Sequence, residues 1–171
     1  MIRILLVPVV VWLLLLQGDG PRYWAAGLFV VAACTDFLDG YLARRHQMTT
    51  RTGAWLDPFS DKLLVLAPML VLVWQDAFPL WAAVVIVGRE VAVSVLRVYL
   101  GSRRTSMPAS VTGKVKAVLQ MAALALYLLP GVAEVLRLSV LVVAVAFTVF
   151  SGVEYFLKAG ALAGLERERE R

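Results

Sequence analysis

Four aspartates stand close together in an otherwise strongly apolar chain, in the stretch TDFLDGYLARRHQMTTRTGAWLDPFSDK: Asp36, Asp39, Asp57 and Asp61. If the first part is helical, about 100° per residue places Asp39 near −60° from Asp36, Gly40 near +40°, Ala43 near −20° and Arg44 near +80°, all on one face. On a following helix Gly53, Asp57 and Asp61 are spaced by four and also line up. A charge inside an apolar layer costs about 2.5–3.5 kcal/mol even on a lenient scale. Carboxylates this close repel one another and draw protons back unless a cation intervenes. Interfacial charges, solvated or paired with arginines, would account for one such aspartate; four on two aligned faces point to a bound cation. Ligands that are all oxygen suit Mg²⁺, Mn²⁺ or Ca²⁺. Gly40, Ala43 and Gly53 then leave room for a bulky group to approach the backbone.

Written out, the pattern is D-x2-D-G-x2-A-R-x8-G-x3-D-x3-D, from Asp36 to Asp61. It resembles the signature of the CDP-alcohol phosphatidyltransferase family at every fixed position. The resemblance implies an all-α polytopic membrane fold with six transmembrane helices, usually a homodimer. It also implies transfer of a phosphatidyl group from a CDP-linked lipid to an alcohol, with CMP released and Mg²⁺ or Mn²⁺ required. Carried over by position, Asp36, Asp39, Asp57 and Asp61 hold the metal, Asp61 is also the general base, and Gly40, Ala43, Arg44 and Gly53 line the CDP site. The residues suit that chemistry physically: metal ions neutralise the pyrophosphate and its leaving group, while a carboxylate at the edge takes the hydroxyl proton. The only histidine, His46, has no evident acidic partner, and no G-x4-G-K-[ST] loop supports ATP chemistry.

The elements that must position these groups follow from hydropathy. The chain has 171 residues of which 61% are hydrophobic, and a mean hydropathy of +0.80. That is above the roughly 45–50% apolar share of soluble domains, so a single membrane domain is expected. Candidate spans run at about 2–17, 23–46, 54–74, 78–99, 114–129 and 136–159. QGDGPR, WQDAFP and LPGVAE break three of the connections. The other two carry Arg44, Arg45 and Arg51, and Arg97, Arg103, Arg104, Lys114 and Lys116. By the positive-inside rule these face the cytoplasm, with both termini, which puts a multi-pass protein in the cytoplasmic (inner) membrane with its acidic cluster on the cytoplasmic side. The domain is expected over 1–160, and 161–171 as a charged cytoplasmic tail. The net charge of +5 lies in short segments between apolar runs, so anionic headgroups and phosphorylated substrates are the expected partners and nucleic acid is not. Trp24, Trp55, Trp74 and Trp81 fall near predicted interfaces. The single cysteine, Cys34, excludes an internal disulfide and is expected as a small buried helix residue.

The first apolar run has no small-residue cleavage site after it and is expected to be a retained helix. Family members commonly open with a polar lead of the type P-N-x-L-T-x-x-R, of which Arg3 matches the end, and a first span of about 24 Å leaves room for a further turn.

The acceptor alcohol should be read from charges outside the shared signature. GREVAVSVLRVYL places Arg89 and Glu90 inside span four, and GKVKAVLQM places Lys114 and Lys116 at the cytoplasmic level. One account is that Arg89 and Glu90 pair across helices and the lysines fix topology. The other is that Arg89, Arg104, Lys114 and Lys116, with Arg97, form an anion pocket for an acceptor that carries its own phosphate. These stretches resemble the bacterial family members that join CDP-diacylglycerol and glycerol-3-phosphate into phosphatidylglycerol phosphate and CMP. Alternatives are a sibling transferase using phosphatidylglycerol, inositol phosphate or serine, and a divalent-cation transporter using the aspartates as a permeation site.

Overall fold

The structure, a computed structural model, describes the backbone of residues 2–16, 18–46, 53–102 and 111–169 and the side chains of 5–16, 18–35, 62–101 and 111–161. The described residues form six helices and no strand: α1 Ile2–Leu15, α2 Asp19–His46, α3 Gly53–Trp74, α4 Leu80–Ser102, α5 Val111–Leu128 and α6 Glu134–Arg169. The order matches the expected spans, and the ends fall within about four residues of them except for that of α6, at 169 against 159. α2 starts earlier because Gly18 (φ 111°) turns the chain, Asp19 meets the helix dipole and Pro21 is tolerated in a first turn. α6 continues past the apolar run because its Ala, Leu, Glu and Arg are strong helix formers.

Three short connections meet at one end of the bundle. Gly131 (φ 74°) closes the turn from α5 to α6. After α3, Asp76 takes a left-handed φ of 54°. Its amide reaches Val73 O at 3.1 Å, and that of Ala77 reaches Leu72 O at 2.8 Å, the paired bonds of a Schellman stop. That backbone costs a non-glycine residue about 1–2 kcal/mol, and Asp is among the few that bear it. The other end carries the C-terminus of α2 with the start of α3, and the C-terminus of α4 with the start of α5.

α1 packs on α2 and α3, α5 on α6, and α4 on α6, while α2 and α3 both reach α5. The core is built from small and medium side chains such as Val10, Ala25, Phe29, Leu64, Met69, Ala82, Leu128 and Ala144. Large apolar side chains also cover the outside, among them Trp12, Val98, Val135 and Leu157, while Lys116, Gln120, Thr148 and Ser151 are buried. Apolar outside and polar groups paired inside is the arrangement hydrocarbon favours. Among the described residues, Val111–Leu128 and Glu134–Ala161 are long and apolar enough to cross a membrane; Leu5–Leu15 and Lys62–Trp74 are shorter apolar helices. α4 falls outside that measure because Arg89, Glu90 and Arg97 interrupt it. Cys34, expected to be buried, is exposed on α2. A weakly polar thiol loses little against an apolar surrounding, so the outer face accepts it.

Candidate active site

The backbone puts the signature on two consecutive helices. Asp36, Asp39, Gly40, Ala43 and Arg44 lie in the last three turns of α2, and Gly53, Asp57 and Asp61 in the first three of α3. The helical register on which the two aligned faces depend is therefore present, and α2 and α3 touch. The side chains of these eight residues lie outside the described residues, as does all of Arg104. The donor set is four carboxylates, which fits a hard divalent cation by its chemistry.

From Lys62, next in sequence to Asp61, a polar network runs through the bundle. Lys62 Nζ on α3 donates to Ser94 Oγ on α4, and Ser94 Oγ donates in turn to Glu90 O. Glu90 Oε1 accepts from Lys116 Nζ on α5 and, at 3.0 Å, from Arg89 Nη1. Arg89 Nη2 donates to Ser151 Oγ on α6 at 3.1 Å. Gln120 Nε2 donates to Thr148 Oγ1 at 2.8 Å, closing α5 onto α6. The side chains of Arg89, Glu90 and Lys116 are only 13%, 12% and 8% exposed. Gly152 leaves room for the arginine stem: a Cβ there would lie 3.2 Å from Arg89 Cγ, close enough to press on it. Two cations thus meet one carboxylate, and a third, Lys62, is tied to the same stretch of α4 through Ser94, leaving an excess of positive charge in this network. A phosphate is the group that such an excess suits.

Of the cations singled out in the sequence, Arg89 and Lys116 come together on Glu90. The pairing across helices joins Glu90 to Lys116, while Arg89 and Glu90 pair as neighbours on α4. Lys114 lies on an exposed face, because two positions along a helix turn a side chain by about 200°. Arg97 lies over the Tyr155 ring, 5.9 Å from its centroid. Farther along α6, Glu154 accepts from Thr112 and from Lys158. Sequence reasoning missed Lys62, Ser94, Ser151, Gln120 and Thr148. Ser94, four after Glu90, carried a helical-spacing signal; Ser151 and Thr148 carried none, since only the packing of α6 brings them in.

The chain matches the family described as CDP-alcohol phosphatidyltransferase over residues 1–150. It is 43% identical over 136 residues to the CDP-diacylglycerol–glycerol-3-phosphate 3-phosphatidyltransferase of Bacillus subtilis (strain 168), covering 77% of this chain and 70% of that protein. A probable phosphatidylglycerophosphate synthase of Mycobacterium tuberculosis (strain ATCC 25618 / H37Rv) is 38% identical over 165 residues, 93% of this chain and 78% of that protein. The CDP-diacylglycerol–glycerol-3-phosphate 3-phosphatidyltransferase of Shigella flexneri serotype 5b is 38% identical over 166 residues, 93% of this chain and 91% of that protein. With the signature residues in helical register on α2 and α3, and a match that spans most of its length, the chain belongs to the CDP-alcohol phosphatidyltransferase family.

Proposed function

We propose that this protein transfers the phosphatidyl group of CDP-diacylglycerol to glycerol-3-phosphate, giving phosphatidylglycerol phosphate and CMP. The observation that carries the choice of acceptor is the buried Arg89–Glu90–Lys116 cluster, joined through Ser94 to Lys62, which follows Asp61 in the chain. The names of the relatives agree with it. In this reading all six helices cross the cytoplasmic membrane, both termini and the site face the cytoplasm, and the protein works as a homodimer.

Asp36, Asp39, Asp57 and Asp61 hold Mg²⁺ or Mn²⁺, which when bound neutralises the donor pyrophosphate and the departing CMP. Gly40, Ala43 and Gly53 keep space for the nucleotide, and Arg44 adds a cation beside it. Asp61 takes the proton from the acceptor hydroxyl as its oxygen attacks the lipid-linked phosphorus. Arg89 and Lys116, with Arg104 and Lys114, attract the acceptor's own phosphate and so bring its free hydroxyl toward Asp61. Glu90 holds Arg89 and Lys116 in place, and the hydrogen bond to Ser94 holds Lys62 against α4. The test is an acceptor panel: purified protein, CDP-diacylglycerol and each candidate alcohol, with CMP release and the lipid product read by mass spectrometry. Product with glycerol-3-phosphate alone supports the reading, product with inositol phosphate, serine or phosphatidylglycerol moves the assignment to a sibling activity, and a cation transporter would release no CMP.

A further inference from the structure

At the end of the bundle remote from the acidic motif lies a cavity of about 660 Å³, formed where α2, α4 and α6 begin and α3 and α5 end. Arg22 and Arg137 line it, and each is fixed by one nitrogen at the C-terminal end of α5: Arg22 Nη2 to Tyr127 O at 3.4 Å and Arg137 Nη2 to Leu129 O, just past the helix, at 2.8 Å. Neither guanidinium forms an ion pair among the described residues. The Nε of each is buried with no hydrogen-bond partner there. An unsatisfied buried donor is penalised, so an acceptor that draws the guanidinium fork toward the cavity relieves that penalty and gains a charge-assisted contact. Capping α5 would need one cation; two, each tied by a single nitrogen, leave donors to spare.

The remaining wall says what carries the acceptor. Asp76 and Glu134 stand on it at the exposed rim, suited to hydroxyl or ammonium groups, while Phe78, Leu80 and Leu138 make it apolar. Trp24, Trp74 and Trp81 are 72%, 73% and 48% exposed around this same end. Exposed indoles mark the depth of lipid headgroups. We infer that this cavity binds the phosphodiester of a phospholipid in the leaflet opposite the active site, with its oxyanion on Arg22 and Arg137 and its polar headgroup toward Asp76 and Glu134. This rests on the reading of the chain as membrane-spanning. The site is separate from the CDP and acceptor sites, which lie at the other end of the helices.

The test uses the detergent-solubilised full chain in native mass spectrometry, titrated with dihexanoyl phosphatidylglycerol, dihexanoylglycerol and inorganic phosphate. The expected result is a saturable lipid adduct whose affinity falls at least tenfold in the double variant R22Q/R137Q. Because those changes also remove the α5 caps, Leu138→Trp serves as the second variant: it fills the cavity, leaves both caps intact, and is expected to lose the same adduct while releasing CMP at the parent rate. Undiminished lipid binding in both variants would overturn the inference. So would equal binding of dihexanoylglycerol, which lacks the phosphate, or of inorganic phosphate, which would make the ligand a free anion. Loss of CMP release by Leu138→Trp in step with the adduct would also overturn it, by making the cavity a requirement of the fold. Alkaline carbonate extraction of cell membranes tests the spanning reading separately: a chain washed off by carbonate would end that reading whatever the titration gives.

Discussion

Glu90→Gln is the sharpest perturbation of the candidate site. Glu90 Oε1 accepts from Lys116 Nζ and, at 3.0 Å, from Arg89 Nη1, and all three side chains are close to fully buried. Glutamine keeps an oxygen of the same shape, so the hydrogen-bond geometry survives while the negative charge goes. What remains is a pair of buried cations with no counter-charge. Breaking a buried ion pair from one side costs about 3–5 kcal/mol, and the retained acceptor puts this variant near the lower end. For a chain of this size each kcal/mol lowers the melting temperature by roughly 2–4 °C, so a fall of roughly 6–12 °C is expected by scanning fluorimetry in detergent. Freed of their anchor, Arg89 and Lys116 should hold the acceptor phosphate less well. The expected loss in kcat/KM for glycerol-3-phosphate is about tenfold, with the CDP-diacylglycerol KM unchanged. A triple variant with leucine at 89, 90 and 116 separates the two effects. Removing a whole buried ion cluster is often neutral for stability, so this variant should keep its melting temperature and still fail to use the acceptor. If Glu90→Gln melted at the parent temperature with parent acceptor kinetics, the cluster would have no part in either stability or catalysis. Equal losses for both substrates would make it purely structural.

Asp57→Asn is expected to abolish turnover while the fold survives, because it removes a metal ligand and relieves like-charge repulsion; turnover that persisted in EDTA would refute the metal assignment. Gly40→Leu or Gly53→Leu should fill the nucleotide space, seen as a rise in donor KM or a loss of kcat, and parent values in both would refute that placement. Lys116→Gln should cost about 10- to 100-fold in acceptor kcat/KM, the value of one charge-assisted contact of about 1.5–3 kcal/mol. Lys114→Gln, on the exposed face of the same turn, should cost less, and the reverse order would reject the pocket as drawn. Gly152→Val should displace Arg89, since a Cβ there already falls 3.2 Å from Arg89 Cγ. Parent acceptor kinetics in that variant would show that the arginine stem has room elsewhere.

Much of this molecule was legible in its residues one at a time. Hydropathy and the Gly and Pro breaks marked six helices with ends close to those observed, since both signals are local and a helix satisfies its own backbone. The D-x2-D-G to D-x3-D pattern carried the resemblance to the family to which the chain belongs, and its spacings of three and four put the motif residues on shared helix faces wherever the helices lie. Tertiary packing decided what lies between helices. That Glu90 takes Lys116 from α5, that Arg89 reaches Ser151 on α6 through the gap at Gly152, and that Lys62 is held by Ser94 on α4 depend on which faces meet. Those contacts join positions up to 62 residues apart, a distance over which no local periodicity carries information. Arg22 and Arg137, 115 positions apart, likewise come to line one cavity only because α2 and α6 converge on the end of α5. Helix formation is a property of neighbours in sequence, whereas the partner of a buried charge is chosen by the whole packing of the bundle.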